Sequence, residues 1–522
     1  MKFCIILFIL AAKSVFAGVN KGKKLSVDLD QAIQIAVTNN FALRSLTNKN
    51  QAIRELITEK WRNFLPKIGI SLSRNRSIND SALDQINTDI KLFVNQIVYD
   101  GGQRSLQLDV VKLDRLLAEE DFKITYNTLR LDIQKAYFRI LAAEGKKRLN
   151  YKSLERGRLQ LQFVKKEEQL GFATRIQVLT VAARMREIEL SYEKIKNEYR
   201  QAVYDLKTLL LLDFEIILEV KGDLFDDYIL NYKNIDVSSI VNNARNSRPE
   251  VKKSIARIHK LKKEKDIAEN SWIPRISVNG YVGRRGVDFP LRERTWGVDL
   301  VVSFPIGSTT SSSNAGIDIN KEGSSSSGHS VTNLNFFDDL GYKRRVIEGK
   351  ISLAESVSEH KQLNNLIAME IHRTFSQLTE SWNAIRIGNS RVYSSYAGLK
   401  MMETRYQTGQ TKREEILFSE IELVKAQQDL TDAIYEYIVA ACKLEFSSAL
   451  QPGGLDLVKF KTKAGNTLLS HLIAEDLADF QRANPKETDS EKLMENVFSQ
   501  DSKDTLDVGD FYINQIQTEE VK

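Results

Sequence analysis

The residue types that carry catalysis are sparse in this 522-residue chain and fall into no reactive pattern. The five histidines, His259, His329, His360, His372 and His471, lack metal-ligand spacing and read as solvated helix or loop residues. Gly101-Gly102-Gln103-Arg104-Ser105 is glycine-rich but lacks the GxxxxGK[ST] frame of a phosphate loop. No nucleophile stands with a base and an orienting group. These residues predict no enzyme, no metal and no cofactor. The chemistry that remains is electrostatic. Around one glycine turn the chain reads Arg405-Tyr406-Gln407-Thr408-Gly409-Gln410-Thr411-Lys412-Arg413-Glu414-Glu415. Glu414 and Glu415 suit the start of a helix, where the macrodipole favours negative charge.

The elements that position this turn are long helices. Strand-like alternation at Ile90, Leu92, Val94 and Val98 gives way after Asp100-Gly101-Gly102 to a helical seam. Leu106, Val110, Leu113 and Leu117 recur at fours and threes, followed by Ile124 and Leu131 at sevens. No proline interrupts the run from Gly102 to Gly171, so the spacing predicts one helix of roughly 100 Å. A second helix of similar span is predicted from Gly341 to Gly409. Returning helices over Thr174–Leu212 and Thr411–Ala449 measure roughly 60 Å each. Their seams are Tyr192, Ile195, Tyr199, Ala202, Leu206 and Leu209, and Leu423, Ala426, Leu430, Ala433, Tyr437, Ala440 and Leu444. An intramolecular four-helix bundle uses the same seams.

The chain repeats itself. Leu65-Pro66-Lys67-Ile68 returns as Ile273-Pro274-Arg275-Ile276 at an offset of 208, which also pairs Ile90, Leu92 and Val94 with Val298, Leu300 and Val302. Gly171 and Gly409 lie 238 apart, so the second copy carries about thirty extra residues, the Ser/Gly-rich insert at about 307–340. Its composition is that of a flexible linker, with a plug or partner site as the other use. Each copy reads as short helix, strand, strand, long helix, turn and returning helix. The domain plan is therefore a signal peptide at 1–17, a first repeat at 18–234, a second at 235–450 and a polar, acidic tail at 451–522. Proline ends the short helices at Pro66 and Pro274. Ile68, Ile70 and Leu72, then Ile276 and Val278, alternate as strands, and Trp296, Val298, Leu300, Val302 and Phe304 share one face of a fourth. Loops are expected at Ser77–Thr88 and Arg284–Arg294, with Arg284, Arg285, Arg292 and Arg294 facing anionic surface groups or plain solvent. Near Leu468–Phe480 the tail predicts a short helix.

Lys2, the apolar run Phe3–Ala12 and Val15-Phe16-Ala17 form a secretory signal, with the mature chain expected from Gly18. Cys442 is the only cysteine after it, which excludes an internal disulfide framework. No apolar run reaches eighteen residues, so an exported chain of this kind is periplasmic, secreted or inserted through strands. The net charge of +6 is dispersed and forms no basic stripe for nucleic acid. Four strands cannot close a barrel alone: either the sheet stays open with exposed edges or several chains share one barrel, and three chains sharing twelve strands is the expected solution.

The order of elements resembles the TolC family of outer-membrane efflux and secretion channels. The residues that carry the resemblance are LDQAIQIAVTNNFAL, FLPKI, the VYDGG joint and the repeated LG/TG turn, over Leu25 to about Leu450. The resemblance implies a mainly α fold with a small β part. It implies a homotrimer whose helical hairpins form an α-barrel in the periplasm and whose strands form a twelve-stranded barrel in outer-membrane lipid. Ile90, Leu92, Val94, Trp296, Val298, Leu300, Val302 and Phe304 are then the membrane-facing residues. It further implies a periplasmic adaptor and an inner-membrane pump as partners, contacted through tips at Leu170, Gly171, Thr174, Arg175, Thr408, Gly409 and Thr411. By the same resemblance Glu415, Tyr406 and Gln177 form the periplasmic gate, with Tyr406 bonded to Gln177 and Glu415 giving cation preference. Phe418 and Thr411 stand where the family carries a second acid and an arginine. The alternative function is an anchored coiled-coil stalk without transport.

Overall fold

The computed structural model describes residues 24–79, 82–225, 228–232, 235–306, 309–320, 325–337, 340–450 and 453–460. The signal peptide and the helix expected near 468–480 lie outside them. The chain divides into two units, one made of Ala42–Ile124 and Asn246–Leu366, the other of Met1–Phe41, Thr125–Arg245 and Ile367–Lys522.

The elements run β1 (Lys24–Val27), α1 (Leu29–Asn39), α2 (Phe41–Arg62), β2 (Lys67–Asn79), β3 (Ala82–Tyr99), α3 (Gln103–Gln169) and α4 (Arg175–Leu210) through the first copy. Next come β4 (Ile217–Val220), β5 (Tyr228–Leu230), α5 (Val237–Ser247), α6 (Pro249–Glu269), β6 (Arg275–Gly286) and β7 (Glu293–Ile306). The chain continues with β8 (Thr309–Asn320), β9 (Ser325–Asn335), α7 (Tyr342–Gln407), α8 (Arg413–Ser447) and β10 (Val458–Phe460). The long helices α3 and α7 have 67 and 66 residues, as their uninterrupted seams predict. Asp28 caps α1 in a reciprocal box with Gln31, its side chain accepting from the Gln31 N–H at 2.8 Å. Each short helix is in fact two. The breaks fall at Asn40 and Arg248, both extended and separated by the same 208 residues as the rest of the repeat. Pro249 forces the second break, since the residue before proline avoids helical geometry. No proline marks the first.

Among the described residues, the unit that contains the sheet holds six antiparallel strands in the order β2-β3-β6-β7-β8-β9. Four were expected. The two additional strands are the Ser/Gly-rich insert, so the linker reading is corrected: β8 pairs with β7 from Thr309↔Ile306 to Asn320↔Thr295, and β9 pairs with β8. Without β8, the edge of β7 would leave its N–H and C=O groups unpaired, which low-complexity composition does not reveal. The expected loops also shrink, because β2 and β3 run through most of 77–88 and only 287–292 separates β6 from β7.

Register sorts the side chains by face. Ile68↔Val94, Ile70↔Leu92 and Leu72↔Ile90 share one face with Trp296, Val298, Leu300 and Val302. The other face carries Asp89, Lys91, Asn95, Asn279, Tyr281, Arg285, Asp299, Asp318 and His329. There Asn95 donates to Asn279, Arg285 Nε reaches Asp89 Oδ1 at 2.6 Å and Tyr281 donates to Asp318. Ile68, Ile70 and Leu72 are two-thirds or more exposed.

Strand β3 enters α3 through a tight joint. Asp100 accepts from the Arg104 Nε at 2.7 Å, and the Arg104 guanidinium also donates to the carbonyls of Asn63 and Ile97 over the Phe64 ring. Gly101 and Gly102 both have positive φ, +62° and +80°. A Cβ on Gly101 would lie 2.7 Å from Ile273, whereas one on Gly102 meets nothing.

In the other unit, β1 pairs parallel with β4 and β5 antiparallel with β10. These strands of three or four residues carry no readable alternation. The start of the tail is pinned there, because Glu445 accepts the N–H groups of Gly453 and Leu455 at 3.0 and 3.3 Å. The α8 seam from Leu423 to Leu444 is buried at every predicted position. Tyr137 and Tyr437, both fully buried, donate to the carbonyls of Lys221 and Asn231.

The joint makes a differential prediction. Gly101→Ala should cost more than the ~1–2 kcal/mol of left-handed strain that Gly102→Ala also incurs, because only the former meets Ile273. Thermal unfolding of the two variants side by side checks this, with the lower midpoint expected for Gly101→Ala.

Candidate helix-tip latch

Both helical hairpins turn in the same way. At the first tip the N–H of Phe172 bonds to the carbonyl of Glu167 at 2.8 Å, and that of Gly171 to Glu168 at 3.0 Å. At the second, Gln410 bonds to Arg405 at 2.8 Å and Gly409 to Tyr406 at 2.9 Å. These are Schellman motifs, which require a left-handed residue where Gly171 (φ +81°) and Gly409 (φ +73°) stand. Helix α4 then starts on a capping box between Thr174 and Gln177, whereas α8 starts at Lys412 with no side-chain cap.

The capping box engages Gln177. Its Oε1 accepts the Thr174 N–H at 2.7 Å, and its own N–H donates to Thr174 Oγ1 at 3.3 Å. Tyr406 bonds elsewhere, so the expected Tyr406–Gln177 bond is corrected. Its hydroxyl donates to Glu167 Oε1 at 2.8 Å, and Arg413 donates to the same oxygen at 2.6 Å. Arg413 also donates to Gln160 Oε1 at 2.8 Å and to the Tyr406 hydroxyl, and lies over the rings of Tyr406 and Phe163. One guanidinium thus joins the end of α3, the end of α7 and the start of α8. Burial raises the Glu167 pKa, but the bonds from Arg413 and Tyr406 outweigh it and hold the carboxyl below its ordinary value. The charged latch therefore contributes stability above the ordinary carboxylate range and loses it as pH falls through the lowered value.

Glu415 lies exposed in the first turn of α8 and accepts a hydrogen bond from Thr411. That is the helix-start role its position allows. Arg175 forms an exposed ion pair with Glu168 at 3.4 Å, and Thr408 donates back to the Arg405 carbonyl at 3.0 Å. Leu170 is 71% exposed, and Phe172 and Ile176, which periodicity did not single out, are 83% and 76% exposed. The first tip is thus apolar and the second polar. Glu167 and Arg413 were also missed, since their pairing across 246 positions leaves no mark in a single sequence.

Just behind the tip, Glu420 is 3% exposed, with Oε1 3.2 Å from Arg156 Nε. Burial pushes its pKa up to about 7; Arg156 pulls it down, and Glu403 raises it further. Higher up, Lys146 ties three helices together by pairing with Glu198 at 3.1 Å and Asp432 at 2.8 Å. Among the described residues no group of three or more His, Cys, Asp and Glu side chains is placed to hold a metal ion. Nor is any described helix long and apolar enough to cross a membrane.

Paired helical hairpins attached to one antiparallel sheet define the fold of TolC-like outer-membrane channels. Residues 32–210 match the family model described as outer membrane efflux protein. No curated protein matches the chain. Among solved structures, the Campylobacter jejuni CmeC outer membrane channel shares the fold with a TM-score of 0.65 at 14% identity, over 84% of this chain and 87% of that one. CusC matches with a TM-score of 0.66 at 16% identity, over 84% and 96%. The open state of the Neisseria gonorrhoeae MtrE outer membrane channel matches with 0.64 at 14%, over 81% and 89%.

The buried carboxyl gives a pH-dependent prediction. With its folded pKa raised, Glu420 is protonated and uncharged at low pH, and stability falls as pH rises from the ordinary carboxylate value to about 7. Glu420→Gln should therefore raise the melting midpoint more at pH 8 than at pH 5, as read by thermal melts of both proteins at the two values.

Proposed function

We propose that three copies of this chain form a passive export channel in the outer membrane, with the helices extending into the periplasm. The observation that carries this reading is the sheet. Its one face is apolar and exposed, its other face holds the charged network, and its strands lead directly into the long helices. Ile90, Leu92, Val94, Trp296, Val298, Leu300, Val302 and Phe304 face lipid in this assembly. Exposed Tyr99, Trp272, Phe336 and Phe337 at the helix-side ends of the strands supply the aromatic interface belt. Arg74, Arg284 and Arg294 continue the apolar face at the other end, where anionic headgroups lie. The family match over residues 32–210 and the shared fold support the same reading.

The channel is the exit duct of a tripartite efflux pump or a type I secretion system. An inner-membrane pump drives it, and a periplasmic adaptor seats on the tips. On the apolar tip, Leu170, Phe172 and Ile176 supply the buried contacts of that docking, with Gly171, Thr174 and Arg175 beside them. Thr408, Gly409 and Thr411 supply the polar tip. The Tyr406–Glu167–Arg413 latch holds the second hairpin to the first and keeps the entrance shut; Glu415 adds negative charge at the opening. A stalk without transport has no use for a charged face on its strands.

In a planar bilayer the wild-type protein should show rare, cation-preferring openings. Arg413→Ala removes the charged bonds of the latch, each worth about 1.5–3 kcal/mol, so open probability should rise at least about tenfold. If both the wild type and Arg413→Ala stay silent, the channel reading fails.

A further inference from the structure

We infer that the insert hairpin β8–β9 is a permanent part of the barrel wall, so that each chain supplies six strands and its β9 edge pairs with the β2 edge of a second copy. This deepens the channel reading above and rests on it. Three copies then close a barrel of eighteen strands rather than twelve.

Pairing is the first support. β8 follows β7 in unbroken register over twelve residue pairs, from Thr309↔Ile306 to Asn320↔Thr295, and so covers the height of the sheet. Side chains fix that register across strands. His329 of β9 lies with Nε2 3.2 Å from Asp299 of β7 and Nδ1 3.4 Å from Asp318 of β8, while Tyr281 of β6 donates to Asp318. Four strands are bridged by four side chains. Glycines make the room: a Cβ on Gly297 would lie 2.6 Å from the Tyr281 ring, and one on Gly316 would lie 2.8 Å from the His329 ring. A loosely attached plug needs neither the glycines nor these cross-strand contacts.

Segregation of charge is the second. On the face that continues Trp296, Val298 and Leu300, the hairpin presents Ser311, Ser313, Ala315, Ile317 and Ile319 from β8 and Ser326, Gly328, Ser330, Thr332 and Leu334 from β9. None is charged. Asp318 and His329 both point to the face that carries Asp89 and Arg285. A wall strand in lipid requires this arrangement, because a charge on the lipid side is costly near mid-depth. Phe336 and Phe337 come directly after β9 and are exposed at the level of the aromatic belt.

The open edges name the occupant. Among the described residues β2 and β9 each pair on one side only. A barrel in hydrocarbon tolerates no unpaired edge, and a second copy brings the complementary one.

The test removes 309–335 and joins 308 to 336 in the Arg413→Ala background, then measures conductance and the size of polymer excluded from the strand side. Cross-section scales with the square of strand number, so loss of six wall strands should cut conductance by about half and lower the exclusion limit. An increase in both would overturn the inference, because it identifies the hairpin as a plug. A second measurement covers a deletion that fails to fold. Val301→Cys with Asn314→Cys, a register pair of β7 and β8, should oxidise in the assembled protein in membranes and resist maleimide until reduced. Free alkylation of both thiols in the intact oligomer overturns the inference. It leaves the channel reading standing, which falls only if no background conducts.

Discussion

Everything in this molecule depends on a sheet that is unfinished in one chain. Among the described residues its two edge strands each pair on one side only, and Ile68, Ile70 and Leu72 on the first of them stand exposed. Backbone groups at an edge and apolar side chains on a face are both costly in water, and in hydrocarbon an unpaired edge costs still more. In the proposed assembly both demands are met together, by closure with further copies inside a bilayer. The duplication serves the same end, because each copy adds a hairpin to the sheet and a helical hairpin attached to it.

Where strand becomes helix, the Arg104 guanidinium gathers Asp100, two carbonyls and the Phe64 ring, fixing the exit of α3 from the sheet. At the tip a different arginine performs the corresponding task. Arg413 gathers Glu167, Gln160, Tyr406 and the Phe163 ring, joining the two hairpins. Arginine suits both places, since its planar fork makes several directed bonds while its face stacks on an aromatic ring. The two clusters differ in their surroundings. The Arg104 cluster sits between continuous elements, while the Arg413 cluster sits beside two free turns, where a docking partner has access in the proposed assembly.

The long elements were legible because their patterns are long. Periodicity located α3 and α7 to within a few residues, and the α8 seam from Leu423 to Leu444 is buried as its threes and fours require. Gly171 and Gly409 were legible as the ends of the helical runs and as partners in the repeat, and both adopt the left-handed backbone that the turns require. The insert was misread because serine and glycine hide alternation, and its strands depend on β7 for hydrogen bonds. The helix break at Asn40 has no proline to announce it, unlike that at Arg248. In the latch, Tyr406 was recognised but its partner was not. Gln177 had a nearer use in capping its own helix, and Glu167 lies too far away in sequence for any local pattern to show it.

The central claim, that the sheet is completed by other copies, is tested most directly by native mass spectrometry of the protein extracted from membranes in mild detergent. The account predicts a particle of three chains whose β-structure and assembly are lost together on heating. A folded, stable single chain that keeps its β-structure in the same detergent would contradict it.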